Sequence, residues 1–273
     1  MNGQSPIVTL GPEGTYSSRV ARAIDDRVRF QDTVTEIIAS LDDGAFERAV
    51  IPIETGIEGS VTESLDALSE ASVAVTRELV APIDYAILGQ HDQLETIASH
   101  PKAIAHFEST IQDGYPDVNT TAVSSTVRGV ERAIEDSDVG AVAHPSTASK
   151  DPSIRILDEV QARETDVTRF FVLGPVKERS DVGTKSSLIV YPSRDGPGIL
   201  VDLLRCFATH DINIARVDAR PSGKRLGDYV IHVDFEAGYY EQRTKDAIAE
   251  LNEQIRTEWV QSLGSYDVDE IAI

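Results

Sequence analysis

The sequence predicts an α/β protein: two lobes of alternating strands and helices, followed by a smaller βαββαβ unit of the ferredoxin-like kind. Three features carry this reading. Through the first 175 residues, short apolar runs alternate with helical periods. At 74–79 and 83–88 two apolar stretches follow in quick succession, as in a chain passing from one sheet to a second. At VKERSDVGTK (176–185) the composition turns polar, and the element order changes after it. A first region is therefore expected at 1–176, with a second lobe at about 82–163, and a C-terminal domain at 185–273.

IVTLG (7–11) opens the first lobe as a buried strand. A helix follows at 17–26, with Val20, Ala21 and Ile24 inward. VRF is a short strand, and TVTEIIASL a helix in which Thr33 and Glu36 have capping-box spacing. RAVIPI is a buried strand. SVTESLDAL is a helix with Ser60 and Glu63 at the same capping spacing. The second lobe reads as TIASH, a helix from Pro101, NTTAV, the helix SSTVRGVERAIED and the strand VGAVA. DVTRFFVLG (166–174) returns to the first sheet. The C-terminal domain reads SSLIVYPS, PGILVDLLRCFATH, INIARVDARP, YVIHVDFEA, YYEQRTKDAIAELNEQI and WVQSLGSY, which is strand, helix, strand, strand, helix, strand. Two α/β lobes joined by crossover strands are expected to hold a ligand cleft between them.

Composition narrows the partners. The chain has 46 acidic against 25 basic residues, a formal net charge of −21. Nucleic acid is excluded as a partner, because phosphate backbones require a basic face. The acids are dispersed rather than gathered in a tail, and arginine far outnumbers lysine. Such a surface fits a halophilic source, since screening shortens to about 3 Å in 1 M salt. The single cysteine, Cys206, excludes an internal disulfide and lies in an apolar helical pattern, as a small core residue does. No apolar run reaches membrane-span length, and MNGQSPIVTLG lacks a signal pattern, so a cytoplasmic protein without a membrane partner is expected.

Four motifs carry candidate chemistry. GPEGTYSS (11–18) is neither a Lys-Ser/Thr phosphate loop nor a GxGxxG fingerprint. It offers backbone amides and the Thr15, Ser17 and Ser18 hydroxyls near a helix start, or else an ordinary glycine turn. In VIPIETGIEGSVTESL, Glu54 and Thr55 follow a buried strand, and Gly56 and Gly59 free the loop before Ser60. Polar groups at the carboxyl end of a sheet strand lie where α/β proteins bind ligands. ASHPKAIAHF brings Ser99, His100 and His106, whose spacing is not that of a helical metal site, so no metal is expected. DVTRFFVLG fits either a strand entering from water or a Thr168-Arg169 pair handling an anion.

GPEGTYS, PIETGIEGSV, SHPKAIAH, VTRFFVLG and the C-terminal βαββαβ unit, in this order, resemble prephenate dehydratase across essentially the whole chain. The Gly198-Ile199-Leu200-Val201 and Asp218-Ala219-Arg220-Pro221 segments resemble the GALV and ESRP signatures of a regulatory ACT domain. The resemblance implies a periplasmic-binding-protein-like catalytic region without cofactor, converting prephenate to phenylpyruvate, water and carbon dioxide in phenylalanine synthesis. It implies catalytic roles for Thr168, Arg169, Glu54, Thr55, Ser99 and His106. Thr168 is the first choice to hydrogen-bond the departing hydroxyl, while Arg169 has a planar fork for a carboxylate. Strand alternation warns that these two neighbours point to opposite faces.

Thr15, Gly56, Ser60 and Phe170 are implied substrate contacts. Gly198, Ile199, Leu200, Val201, Asp218, Ala219, Arg220 and Pro221 are implied contacts of an L-phenylalanine effector, in a homodimer or homotetramer. Three departures stand out: Thr55 where the family has asparagine, His106 where it has glutamine, and Asp218-Ala219 in place of Glu-Ser. Glu54 poses a problem, because a carboxylate beside a dianion needs protonation or a bridging partner. The same pattern accommodates arogenate dehydratase, or a non-catalytic amino-acid sensor.

A surface of the substrate's own sign slows encounter unless salt screens it. The Michaelis constant for prephenate is expected to fall as potassium chloride is raised toward molar concentration. A constant that rises monotonically with salt would contradict this.

Overall fold

The computed structural model describes residues 5–56, 59–160, 166–193, 196–255 and 257–273. Two compact units result, one formed by 1–81 with 168–273 and the other by 82–167. The expected lobe end at 163 lies outside the described residues, as do Ile57 and Glu58 of the PIETGIEGSV segment.

The first unit begins with β1 (Ile7–Leu10), α1 (Tyr16–Ile24), β2 (Val28–Gln31), α2 (Val34–Asp42), β3 (Arg48–Thr55), β4 (Gly59–Ser60), α3 (Thr62–Ser69) and β5 (Val73–Pro82). Thr15 caps α1 by accepting from the Ser18 amide at 3.3 Å. Thr33 caps α2 by accepting from the Glu36 amide at 3.1 Å, and Glu36 in turn accepts from the Asp32 amide. The expected Ser60 cap of α3 does not form. Ser60 is drawn into β4, opposite Glu54, so the helix starts one residue later with Val61 at its cap position. Glu63 accepts instead from the Val34 amide at 2.8 Å and caps α2 from the neighbouring helix.

The second unit contains β6 (Tyr85–Gly89), β7 (Thr96–Ser99), α4 (Pro101–His106), α5 (Glu108–Gly114), β8 (Asn119–Ala122), α6 (Thr126–Glu135), β9 (Val139–Ala143) and β10 (Arg155–Val160). Its sheet runs β10-β6-β9-β7-β8, with β7 parallel to both β8 and β9. Strand β10 is antiparallel to β6 and was not anticipated, because RILDEV mixes charges into its short apolar content.

The chain returns to the first unit through β11 (Val167–Pro175). It continues with β12 (Lys185–Pro192), α7 (Ile199–Thr209), β13 (Ile214–Pro221), β14 (Tyr229–Phe235), α8 (Gln242–Ile255), β15 (Thr257–Tyr266) and β16 (Val268–Glu270). The first sheet runs β16-β5-β11-β3-β1-β2, with β4 paired to β3. Here β1 is parallel to β2 and β3, and β11 is antiparallel to β3. The C-terminal sheet is antiparallel, in the order β13-β14-β12-β15, with α7 and α8 packed on it through Leu203, Cys206, Phe207, Ala247 and Leu251.

This C-terminal sheet does not stand apart in packing. Ile189, Tyr191, Leu263 and Tyr266 join one core with Ile37, Ile51, Ile53, Phe171 and Leu173 of the first lobe. The unanticipated β16 then pairs in parallel with β5, tying the chain's last strand into the first sheet. Among the described residues no helix is long and apolar enough to cross a membrane.

His232 on β14 marks this join. It is buried, and its Nε2 lies 3.0 Å from Ser69 Oγ on α3. Burial, reinforced by the Arg216 charge, pushes its pKa down from 6.5 to about 4. The unfolded chain therefore binds a proton at this position before the folded one does. Stability is full above the unfolded value and is lost as pH falls from 6.5 toward 4, on the order of 3 kcal/mol at most. A His232→Gln variant is expected to show a flatter fall of melting temperature across that window. Parallel slopes in the two proteins would exclude His232 as the cause.

Candidate active site

Each unit presents a polar edge at the carboxyl ends of its parallel strands. In the first unit this edge comprises the turn after β1, the end of β3 and the antiparallel start of β11. Gly14 and Gly59 occupy positive φ there (86° and 76°), which lets the turns after β1 and before α3 double back tightly. The Thr15 hydroxyl is committed to capping α1. The Gly14 amide donates to Ser18 Oγ at 3.2 Å. Ser60 pairs with Glu54, and Gly56 lies exposed in the turn between β3 and β4.

Strand β11 divides its side chains by parity. Thr168, Phe170 and Val172 face one side of the sheet, where Phe170 and Val172 pack with Ile7, Val20 and Val50. Arg169, Phe171 and Leu173 face the other, where Phe171 and Leu173 share the core with the C-terminal sheet. Thr168 lies directly opposite Thr55, and Arg169 directly opposite Glu54. Thr168 is nearly buried, at 3% exposure. Phe170 is fully buried against the Tyr16 ring at 5.6 Å, so it supports the edge from within the core rather than offering a surface to substrate.

Arg169 is not available to a substrate carboxylate, because the chain's own carboxylates already engage its fork. Nε and Nη2 donate to Glu78 at 2.8 and 2.7 Å, Nη1 to Glu54 at 2.6 Å, and Nη2 also to Asp234 at 2.9 Å. Lys185 donates to Glu78 at 2.9 Å, and Arg216 to Asp234 at 2.8 and 3.2 Å. Among the described residues this network balances three cations against three carboxylates. Burial pulls the Arg169 guanidinium down, but Glu78 and Asp234 overcome it and drive its pKa up. Burial likewise opposes the Asp234 charge, yet Arg216 and Arg169 hold the carboxyl well below its usual range. The bridging partner that Glu54 requires is thus Arg169. Parity in the TRF tripeptide foretold the separation from Thr168, but Glu78, Lys185 and Asp234 carried no signal, since their meeting depends on how the two sheets pack.

In the second unit, Ser99 is fully buried and donates to the Val142 carbonyl at 2.6 Å, fastening β7 to β9. His100 caps α4 by accepting from the Lys102 amide. His106 ends α4, with Nε2 3.2 Å from Asp166 Oδ2. The Asp166 carbonyl accepts from the Ile83 amide at 2.7 Å, so this residue joins the two segments that enter and leave the unit. His144, which sequence reasoning passed over, is buried at the end of β9, where its Nδ1 accepts from the Ser146 amide at 3.1 Å. Its His-Pro sequence repeats that of His100-Pro101, the one signal that would have found it. Among the described residues no cluster of three or more potential metal ligands occurs.

In the C-terminal domain, Gly198, Ile199, Leu200, Val201 and Ala219 line a cavity of about 260 Å³, with Tyr191, Asp228, Tyr229 and Ile231. Gly198 adopts a φ of 94°, which glycine alone accommodates readily. Asp218, Arg220 and Pro221 are not among its lining residues. Arg220 instead makes a bidentate pair with Asp66 of α3, at 2.8 and 3.0 Å.

Hydroxyls and charges gathered at strand ends of an α/β scaffold, fused to a βαββαβ domain with its own cavity, define an α/β enzyme with an ACT-like C-terminal domain. Residues 7–178 match the family model of prephenate dehydratase, and the chain belongs to that family. It is 30% identical to the prephenate dehydratase of Methanocaldococcus jannaschii, over 96% of this chain and 97% of that one. It is also 30% identical to the bifunctional chorismate mutase/prephenate dehydratase of Aquifex aeolicus, over 95% of this chain and 73% of the relative. The crystal structure of prephenate dehydratase from Arthrobacter aurescens in complex with L-Phe superposes with a TM-score of 0.84 at 27% identity, covering 96% of this chain and 90% of that one. The protein is therefore a prephenate-consuming enzyme of phenylalanine biosynthesis.

Replacing Arg169 by glutamine leaves three carboxylates to two cations, with Lys185 alone on the buried Glu78 and Arg216 alone on the buried Asp234. The expected loss in urea unfolding is about 3–5 kcal/mol. Arg169→Lys, which keeps the charge but loses the fork, should lose less. A glutamine variant within 1 kcal/mol of the parent would show that the network does not carry stability (a threshold of roughly the surface-pair value).

Proposed function

We propose that Thr168 is the residue that assists departure of the prephenate hydroxyl, and that Arg169 serves the reaction indirectly. The ring carboxylate leaves as carbon dioxide, and its C–C bonding pair moves into the ring. The C–O pair leaves with the hydroxyl at the opposite ring carbon, which takes up a proton and departs as water. A threonine hydroxyl is a weak acid, so its contribution is a hydrogen bond to the leaving oxygen as charge develops, or relay of a proton. The observation that carries this reading is the Thr168–Thr55 cross-strand pair at the sheet edge, on the face opposite the Arg169 network. Backbone amides in the turns after β1 and β3 are the proposed holders of the substrate carboxylates. His106 stands where the family has glutamine, with its Nε2 3.2 Å from Asp166 Oδ2.

The C-terminal cavity is the proposed L-phenylalanine site. Its concave apolar lining supports this, as does the Arthrobacter structure solved with that amino acid. Leu200, Val201 and Tyr229 remain exposed at its rim, 45%, 56% and 48% respectively, which favours a second copy of the chain there in a dimer or tetramer. Feedback inhibition then requires that bound L-phenylalanine favour a less active arrangement. The acidic, lysine-poor surface is read as an adaptation to concentrated salt.

Phenylpyruvate formation, followed by its absorbance in alkali, tests the reading directly. The parent should act on prephenate in preference to arogenate and slow when L-phenylalanine is added. Thr168→Ala should lose at least about 100-fold in kcat with an unchanged circular dichroism spectrum. A folded Thr168→Ala variant of near-parent kcat would remove Thr168 from the reaction. Faster turnover of arogenate would reassign the substrate.

A further inference from the structure

We propose that Asp234, a residue of the C-terminal domain, is a positioning residue for the dehydration, acting through Arg169 on the Glu54 carboxylate. The proposal rests on the reading that the end of β3 meets the substrate. Asp234 is held from three sides. Its Oδ1 accepts from Ser187 Oγ at 2.6 Å and from Arg216 Nη2 at 3.2 Å, and its Oδ2 accepts from Arg216 Nε at 2.8 Å. The remaining bond to Oδ2 comes from Arg169 Nη2 at 2.9 Å.

A guanidinium is planar and rigid, so fixing two of its nitrogens fixes the third. Glu78 holds Nε through an oxygen it shares with Lys185, Nη2 is held jointly by Glu78 and Asp234, and with both nitrogens fixed Nη1 is aimed at Glu54 Oε2, 2.6 Å away. Glu54 is the most exposed carboxylate of the network, at 33% against 1% for both Glu78 and Asp234. A free carboxylate at that edge would repel a dianionic substrate. Bonded to Arg169, Glu54 is neutralised and turned toward the sheet. Movement of Asp234 on β14 therefore reaches Glu54 through two direct hydrogen bonds.

The consequence is specific: loss of Asp234 should impair binding of prephenate more than the chemical step, and only while Glu54 carries its charge. A double-mutant cycle in the full chain reads this. Asp234→Asn is expected to raise KM about tenfold with kcat within about threefold of the parent. In a Glu54→Gln background the same substitution should change KM less than about twofold. Asp234→Glu should recover most of the loss. An equal rise of KM in both backgrounds would overturn the proposal and leave Asp234 a structural residue. A folded Thr55→Ala variant with parent kcat and KM would instead overturn the reading that the end of β3 meets the substrate, and the positioning role with it. Should Asp234→Asn fail to fold with Arg216 deprived of its carboxylate partner, the double variant Asp234→Asn, Arg216→Gln removes one charge of each sign. The same cycle is then run on that pair, with the same expected loss of effect in the Glu54→Gln background.

Discussion

Two carboxylates excluded from water, Glu78 and Asp234, set the terms for the rest of the first unit. Neither tolerates burial alone, because removing an ionised carboxylate from water costs several kcal/mol. Each is answered by cations from a different part of the chain: Lys185 from β12, Arg216 from β13 and Arg169 from β11. Satisfying all of them at once fixes the C-terminal sheet against the first lobe within hydrogen-bond tolerance. Apolar packing between Phe171 and Tyr266 accompanies this arrangement, with ring centroids 5.5 Å apart, but apolar contact alone would allow sliding. Charges with directional bonds specify the register.

The network also explains the division of labour in the TRF tripeptide. A strand offers alternate faces, and β11 lies between β5 and β3, so each face is covered by a different layer. The odd positions 169, 171 and 173 are given to the join with the C-terminal sheet. The even positions 168, 170 and 172 belong to the α1 side. An arginine beside Thr168 reads naturally as a substrate ligand, yet the one-residue step that sets Thr168 opposite Thr55 turns Arg169 to the other face. The arginine is adjacent in sequence because the support must be adjacent in space.

Much of this was legible beforehand, for reasons of period and punctuation. Buried parallel strands such as IVTLG and RAVIPI announce themselves as apolar runs, and the change to βαββαβ order followed a polar stretch. Strands β10 and β16 were not legible: both are short and charged, and pair only because a sheet edge is available to them. The Ser60–Glu63 spacing misled for a related reason, since pairing of β4 with β3 outcompeted a local cap. Among the candidate site residues, the loop motifs and Thr168 drew attention because their residue types are unusual at strand ends. Glu78, Asp166, Lys185 and Asp234 are ordinary charged residues in sequence, and only long-range packing gives them partners. Even so, the unanswered charge of Glu54 was itself a clue that a cation had to be found.

This local neutrality bears on how a chain with a formal charge of −21 handles an anionic substrate. Net charge acts at long range and is screened within about 10 Å at 0.1 M salt. At contact distance the field depends on the few nearest groups, and those groups are balanced. Glu54 is bonded to Arg169, and the remaining carboxylates of the network lie buried behind the strand. In the turn after β1 the one carboxylate, Glu13, is paired with Arg22. Acidity can therefore accumulate over the outer surface without leaving an unbalanced carboxylate at Glu54, provided Glu54 keeps its cation. The cations at the sheet join keep the three carboxylates of the network balanced locally, whatever the charge of the outer surface.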